Sequence, residues 1–149
     1  MTSPAALIRY PFEEPPAPGE ALEVAEGVLW LRLPLPMALD HVNVFAFDEG
    51  DSWTILDTGF DTRKSRAIWE AVLSGPLGGK PVGRVIVTHY HPDHIGLAGW
   101  FVARGAALAT TRTSWILTRM LTLDVQPVPA EETLALEIDR VERLEGMNK

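Results

Sequence analysis

Apolar positions come in short runs from residue 28 onward, and their period changes from strand-like to helical near residue 61. VLWLRL (28–33), VNVFAF (42–47) and SWTILD (52–57) are β-rich, and the first of them follows the turn signal Glu26-Gly27. The second and third flank Asp48-Glu49-Gly50-Asp51, and two such runs around a short Gly/Asp loop predict a hairpin. DTRKSRAIWEAVLSG (61–75) then places Ile68, Ala71 and Val72 at helical spacing, with Asp61 as the expected N-cap and Gly75-Pro76 as the stop. RVIVT (84–88) is an apolar strand signal, HIGLAGWFVARG (94–105) predicts a short helix closed by Gly105, and AALAT (106–110) another strand. TSWILTRMLTL (113–123) and AEETLALEIDRVERLEG (130–146) predict two more helices. In the second, Leu134, Ile138 and Val141 fall at i, i+4, i+7 before Gly146.

A hairpin region followed by strand, helix, strand, helix, strand argues a layered α/β fold, whose ligands sit at the carboxyl ends of the strands. Ahead of it, seven of the twelve prolines lie in residues 1–36. Proline cannot donate to a ladder or sit inside a helix, so residues 1–22 are expected as an extended lead-in to one domain spanning 1–149. The tryptophans at 30, 53, 69, 100 and 115 are dispersed through the predicted elements and read as core rather than as stacking platforms.

Composition narrows the chemistry more than the fold. A chain of 149 residues buries enough surface to need no covalent staples, and 46% hydrophobic with 22% charged residues is ordinary for a globular domain. With no cysteine, a disulfide framework, a thiolate nucleophile and every cysteine-containing zinc site are excluded, which suits the cytoplasm. A formal net charge of −7 repels phosphate backbones and sets nucleic acid aside. MTSPAALIRYPFEEPP lacks the basic-then-apolar order of a signal peptide, and no run of about 18 apolar residues predicts a membrane span.

Three of the four histidines stand in THYHPDHIG (88–96). Residues two apart on an extended chain point the same way, so His89 and His91 reach one point in space. Pro92 then turns the chain, and Asp93 and His94 open the next helix and project toward a neighbouring point. Two imidazoles on one side and a carboxylate with an imidazole on the other suit two ions of Zn²⁺, Fe or Mn²⁺. Such an ion lowers the pKa of bound water to about 7 and so supplies a hydroxide nucleophile. The plainer alternative is a solvated histidine-rich loop.

THYHPDHIG resembles the H-x-H-x-D-H signature of the metallo-β-lactamase superfamily, as in hydroxyacylglutathione hydrolases and related thioesterases. HVNVFAFDEGDSWTILDTGFD (41–61) resembles the early hairpin of that family, which ends in Asp-Thr-Gly. The resemblance covers residues 25 to 125 and implies an αββα sandwich. It implies His89 and His91 as ligands of a first metal and Asp93 and His94 as ligands of a second, with Asp93 also a catalytic acid or base. Asp57 falls at the Asp-Thr-Gly aspartate, where a strand-ending carboxylate can accept hydrogen bonds from the metal loop and support it. His41, in ALDHVN, falls near the mouth of related sites and is a candidate for facing a small-molecule substrate. The implied reaction is metal-dependent hydrolysis of a thioester, ester or amide, with iron-dependent redox chemistry as an alternative on the same fold.

Complete family members add a histidine, a bridging aspartate and a final histidine downstream, but no histidine follows His94 here. Asp124, Glu131, Glu132, Glu137, Asp139, Glu142 and Glu145 are acidic, yet none follows a strand signal as the bridging aspartate does, and none is assigned. No strand is expected after about residue 110. The expectation is therefore the N-terminal half of the sandwich, binding metal weakly and exposing an apolar face. That face invites self-association or a complementing C-terminal half. A non-catalytic product or interaction module that keeps the motif is the alternative.

Overall fold

A computed structural model describes residues 11–123. The elements are β1 (Leu22–Ala25), β2 (Val28–Pro34), β3 (His41–Asp48), β4 (Trp53–Leu56), α1 (Arg63–Ser74), β5 (Val82–Val87), α2 (Pro92–Ile95), α3 (Ala98–Val102), β6 (Ala107–Thr110) and α4 (Arg112–Leu123). The chain divides into two compact units, residues 1–115 and 116–149. All six strands lie in the first; of the second, the last turns of α4 are described.

The strands form one mixed sheet in sequence order. β1 to β4 run antiparallel through short turns, whereas β4, β5 and β6 are parallel. Parallel neighbours need a crossover, which α1 supplies between β4 and β5 and α2 with α3 between β5 and β6. The strand alternation builds one continuous apolar face: Leu31 pairs with Val44 and Leu33 with Val42, while Ala46, Ile55, Val85 and Leu108 follow one another across four strands. Onto this face α1 lays the fully buried Trp69 and Val72, and α3 lays Phe101. The Trp69 and Phe101 rings meet edge-to-face at 4.9 Å, a geometry that suits their quadrupoles. These residues form one sheet and one helical layer, as expected for the first half of an αββα sandwich, and no second sheet occurs among the described residues.

The strand predicted over 28–33, the hairpin, the two later strands and the helices near 61–75 and 113–123 are present, with ends moved by one or two residues. Three expectations are corrected. Asp61 does not cap α1: Thr62 does, its Oγ1 accepting from the Ser65 N–H at 3.0 Å. The Asp61 carboxylate is instead held by Arg66 through two bonds of 2.7 and 2.8 Å. The single helix over 94–105 is two short ones, and it starts earlier, because Pro92 takes a first-turn position that needs no N–H. Its break at Leu97 has a tertiary cause, since that N–H donates to Thr58 Oγ1 at 3.0 Å rather than to the helix ladder. Finally, Leu22 opens a strand, β1, whose four alternating residues are too few to stand out from the proline-rich stretch before them. Residues 11–21 carry neither helix nor strand, while the helix expected over 130–146 and the unassigned acidic residues lie outside the described residues. Of the tryptophans, Trp69 and Trp53 are buried, Trp30 and Trp100 are half-buried, and Trp115 is exposed.

Candidate metal centre

Because β4 and β5 are adjacent and parallel, the segments that follow them leave the sheet side by side at one edge. Asp57 follows β4 directly and has φ 58°, the one positive φ at a non-glycine position among the described residues. Aspartate tolerates this left-handed conformation better than most side chains. Its carboxylate, 5% exposed, reaches across to the β5 segment. Oδ1 accepts from the Thr88 N–H at 2.8 Å, and Oδ2 accepts from the Thr88 hydroxyl and from His94 Nδ1, each at 2.8 Å.

Thr58, fully buried, continues the clasp: its N–H and its hydroxyl both donate to the His94 carbonyl at 2.8 Å, while Oγ1 takes the Leu97 N–H. Trp69 Nε1 donates to the Thr58 carbonyl at 2.7 Å, tying the loop to the core. Backbone meets backbone at Gly96, where a Cβ would lie 2.4 Å from the Pro92 carbonyl and 2.8 Å from both the Asp61 nitrogen and the Gly59 carbonyl. Gly59 itself sits at φ +83° against Leu33. The two loops thus interlock: a side chain at Gly96 would force them apart, while one at Gly59 would run into Leu33 and be strained at its positive φ.

Within this clasp the four candidate ligands converge. His89 Nε2 lies 3.0 Å from His91 Nδ1, and Asp93 Oδ2 lies 3.3 Å from His94 Nε2. The His89 and His94 ring centroids are 4.0 Å apart. Burial resists charge on His94, but hydrogen bonds to Asp57 and Asp93 and their charges outweigh it, raising its pKa to about 9. Desolvation, and then the neighbouring His94 and His91 charges, push His89 down and favour its neutral, ligand-competent form. Burial would raise Asp57 and Asp93. Hydrogen bonds from His94 to both, and from Thr88 to Asp57, prevail and hold each carboxyl below its ordinary range.

The spacing of these atoms permits a test of fit. Two ligands at tetrahedral zinc distances are separated by about 3.3 Å. The His89–His91 and Asp93–His94 pairs, at 3.0 and 3.3 Å, both match that edge. Each pair therefore has the bite of a two-point chelate, through imidazole and carboxylate donors that suit a divalent ion. Among the described residues no group of three donors is placed to hold one ion, so each pair would need ligands from elsewhere.

His41 opens β3, whose antiparallel course brings it to the same sheet edge. There it is hydrogen-bonded to the exposed Asp40, and no contact with the histidine cluster is seen. Thr58 and Thr88 are the site residues that sequence reasoning passed over. Their hydroxyls matter only once the register of β4 against β5 is known, and a single sequence does not carry that register.

Comparison with known proteins bears on this geometry. A family model described as the metallo-beta-lactamase superfamily matches residues 37–116, which include the hairpin, both loops and all four donors. A probable metallo-hydrolase of Bacillus subtilis, YqjP, is 34% identical over 77 residues, covering 51% of this chain and 24% of that protein. The crystal structure of a beta-lactamase domain protein from Burkholderia ambifaria superposes with a TM-score of 0.69 at 39% identity, over 75% of this chain and 36% of that one. A metallo-beta-lactamase family protein from Thermus thermophilus superposes at 0.52 with 33% identity, over 56% and 28%. The chain thus spans well under half the length of each of these relatives.

Proposed function

The chain belongs to the metallo-beta-lactamase superfamily, and on that premise we propose that its 88–96 segment is the ligand-bearing part of a metal-dependent hydrolase site. The substrate class is a small molecule with a thioester, ester or amide carbonyl. The observation that carries the reading is the pair of chelating separations, His89 with His91 and Asp93 with His94, both near a tetrahedral edge. Zinc is the first candidate for this donor set, and iron and manganese accept the same atoms. When bound, such an ion supplies Lewis-acid polarisation and a water made nucleophilic near neutral pH.

The protein's own groups have separate tasks. His89, whose neutral form is favoured by burial, and His91 offer imidazole nitrogens, and His94 is oriented by Asp57. Asp93, whose carboxyl His94 holds below its ordinary range against the opposing effect of burial, is ionised at neutral pH and is placed to take a proton or to steer the substrate. His41, at the same edge, is the candidate for facing substrate. The net charge of −7 weighs against nucleic acid as substrate, and a chain without cysteine supports a cytoplasmic setting.

A second reading has its own observation. Since no third donor joins either pair among the described residues, a binding or interaction role without catalysis accounts for the same geometry. Completion by a second copy or by a separate polypeptide carrying the remaining ligands would restore the enzyme. Equilibrium dialysis against zinc, followed by a panel of thioesters, esters and amides, separates these outcomes. Zinc retained by the chain, lost in His89→Ala, with metal-dependent hydrolysis of one carbonyl class supports the hydrolase. Zinc retained without hydrolysis supports the second reading, and no zinc above background overturns the metal site.

A further inference from the structure

We propose that Thr88 is a positioning residue for the metal site, its hydroxyl holding His89 in the tautomer that leaves Nε2 free as a ligand. The proposal rests on the metal-site reading above and adds a residue to it.

The number of protons available to these groups fixes the tautomer. The Thr88 hydroxyl has one hydrogen and three near neighbours: Asp57 Oδ2 at 2.8 Å, Asp57 Oδ1 at 3.1 Å and His89 Nδ1 at 2.9 Å. An ionised carboxylate only accepts. Were the hydroxyl to donate to His89, its own lone pairs would face both Asp57 oxygens with no proton between them. Donation to Asp57 removes that repulsion and obliges His89 Nδ1 to be the donor to Thr88 Oγ1. The proton of a neutral His89 is then on Nδ1, and Nε2, 3.0 Å from His91 Nδ1, carries the lone pair. His94 is oriented without an intermediary, because its Nδ1 donates to Asp57 Oδ2 at 2.8 Å. One carboxylate therefore orients two imidazoles, His94 directly and His89 through the threonine hydroxyl. The Asp57 oxygens accept from Thr88 and His94, so each side of the carboxylate keeps the other in place.

Partners that orient metal-ligating histidines are worth about 10–100-fold in metal affinity when removed. Thr88→Val keeps the shape and the backbone N–H bond to Asp57 but deletes the hydroxyl, and Thr88→Ser keeps the hydroxyl and deletes the methyl. The primary readout needs no metal: ¹⁵N–¹H correlation spectra of the histidine rings in the metal-free chain, which distinguish Nδ1–H from Nε2–H. His89 is expected as Nδ1–H in the parent and in Thr88→Ser, and as a mixture or as Nε2–H in Thr88→Val. Zinc affinity is expected to fall about 10–100-fold in Thr88→Val and to recover in Thr88→Ser. Nε2–H at His89 in the parent overturns the proposal, and so does a Thr88→Val chain with unchanged tautomer or unchanged zinc affinity. Should the parent bind no zinc, the metal-site reading fails by that measurement while the ring spectra still decide the tautomer.

Discussion

The segments after β4 and β5 leave the sheet at the same edge, yet they differ in burial and in chemistry. The first carries no ligand, and its Asp57 and Thr58 are buried at 5% and 0% exposure. The second carries all four candidate ligands, and none of His89, His91, Asp93 and His94 is buried. The ligand segment receives its order from the other: Asp57 holds Thr88 and His94, Thr58 holds the His94 carbonyl and the Leu97 N–H, and Gly59 meets Gly96 backbone to backbone. Donor atoms must stay accessible to ion and substrate, so the rigidity that fixes them comes from a neighbour that can be buried.

If the division is real, stability and metal binding should separate between the two segments. The largest stability loss is expected for Asp57→Ala, about 3 kcal/mol, because it leaves the Thr88 N–H, the Thr88 hydroxyl and the half-buried His94 without their buried partner. Urea unfolding should register it as a lower midpoint at unchanged slope. Gly96→Ala follows at about 1–3 kcal/mol, since the new methyl meets backbone atoms that cannot rotate away. Thr62→Ala should cost about 1 kcal/mol through loss of the α1 cap, with no effect on zinc retention. His91→Ala should change stability by less than about 0.5 kcal/mol while removing zinc retention in dialysis. An ordering in which His91→Ala unfolds the chain and Asp57→Ala does not would break the comparison.

Much of this arrangement was legible in the sequence. The strand runs and the helix after residue 61 follow from local periodicity, the grouping of the candidate donors His89, His91, Asp93 and His94 from their spacing, and the hydrogen bonds Asp57 accepts from their loop from its place at a strand end. What escaped depends on contacts distant in sequence. Asp61 and Thr62 are both good caps, and Arg66, by claiming the Asp61 carboxylate, leaves the position to Thr62. The helix near 94–105 divides because Thr58, 39 positions earlier, takes the Leu97 N–H. Thr88 looked like the last residue of a strand until the β4–β5 register set it opposite Asp57.

The account's central claim is that the 88–96 segment binds a divalent ion through its paired donors. Thermal unfolding of the parent chain and of His91→Ala, each with and without excess zinc, tests it most directly. An ion that binds only the folded state at a hundredfold excess over its Kd stabilises by about 2.7 kcal/mol. The account predicts a higher Tm for the parent in zinc and no such rise for His91→Ala. A parent that does not respond, or a variant that responds equally, would contradict it.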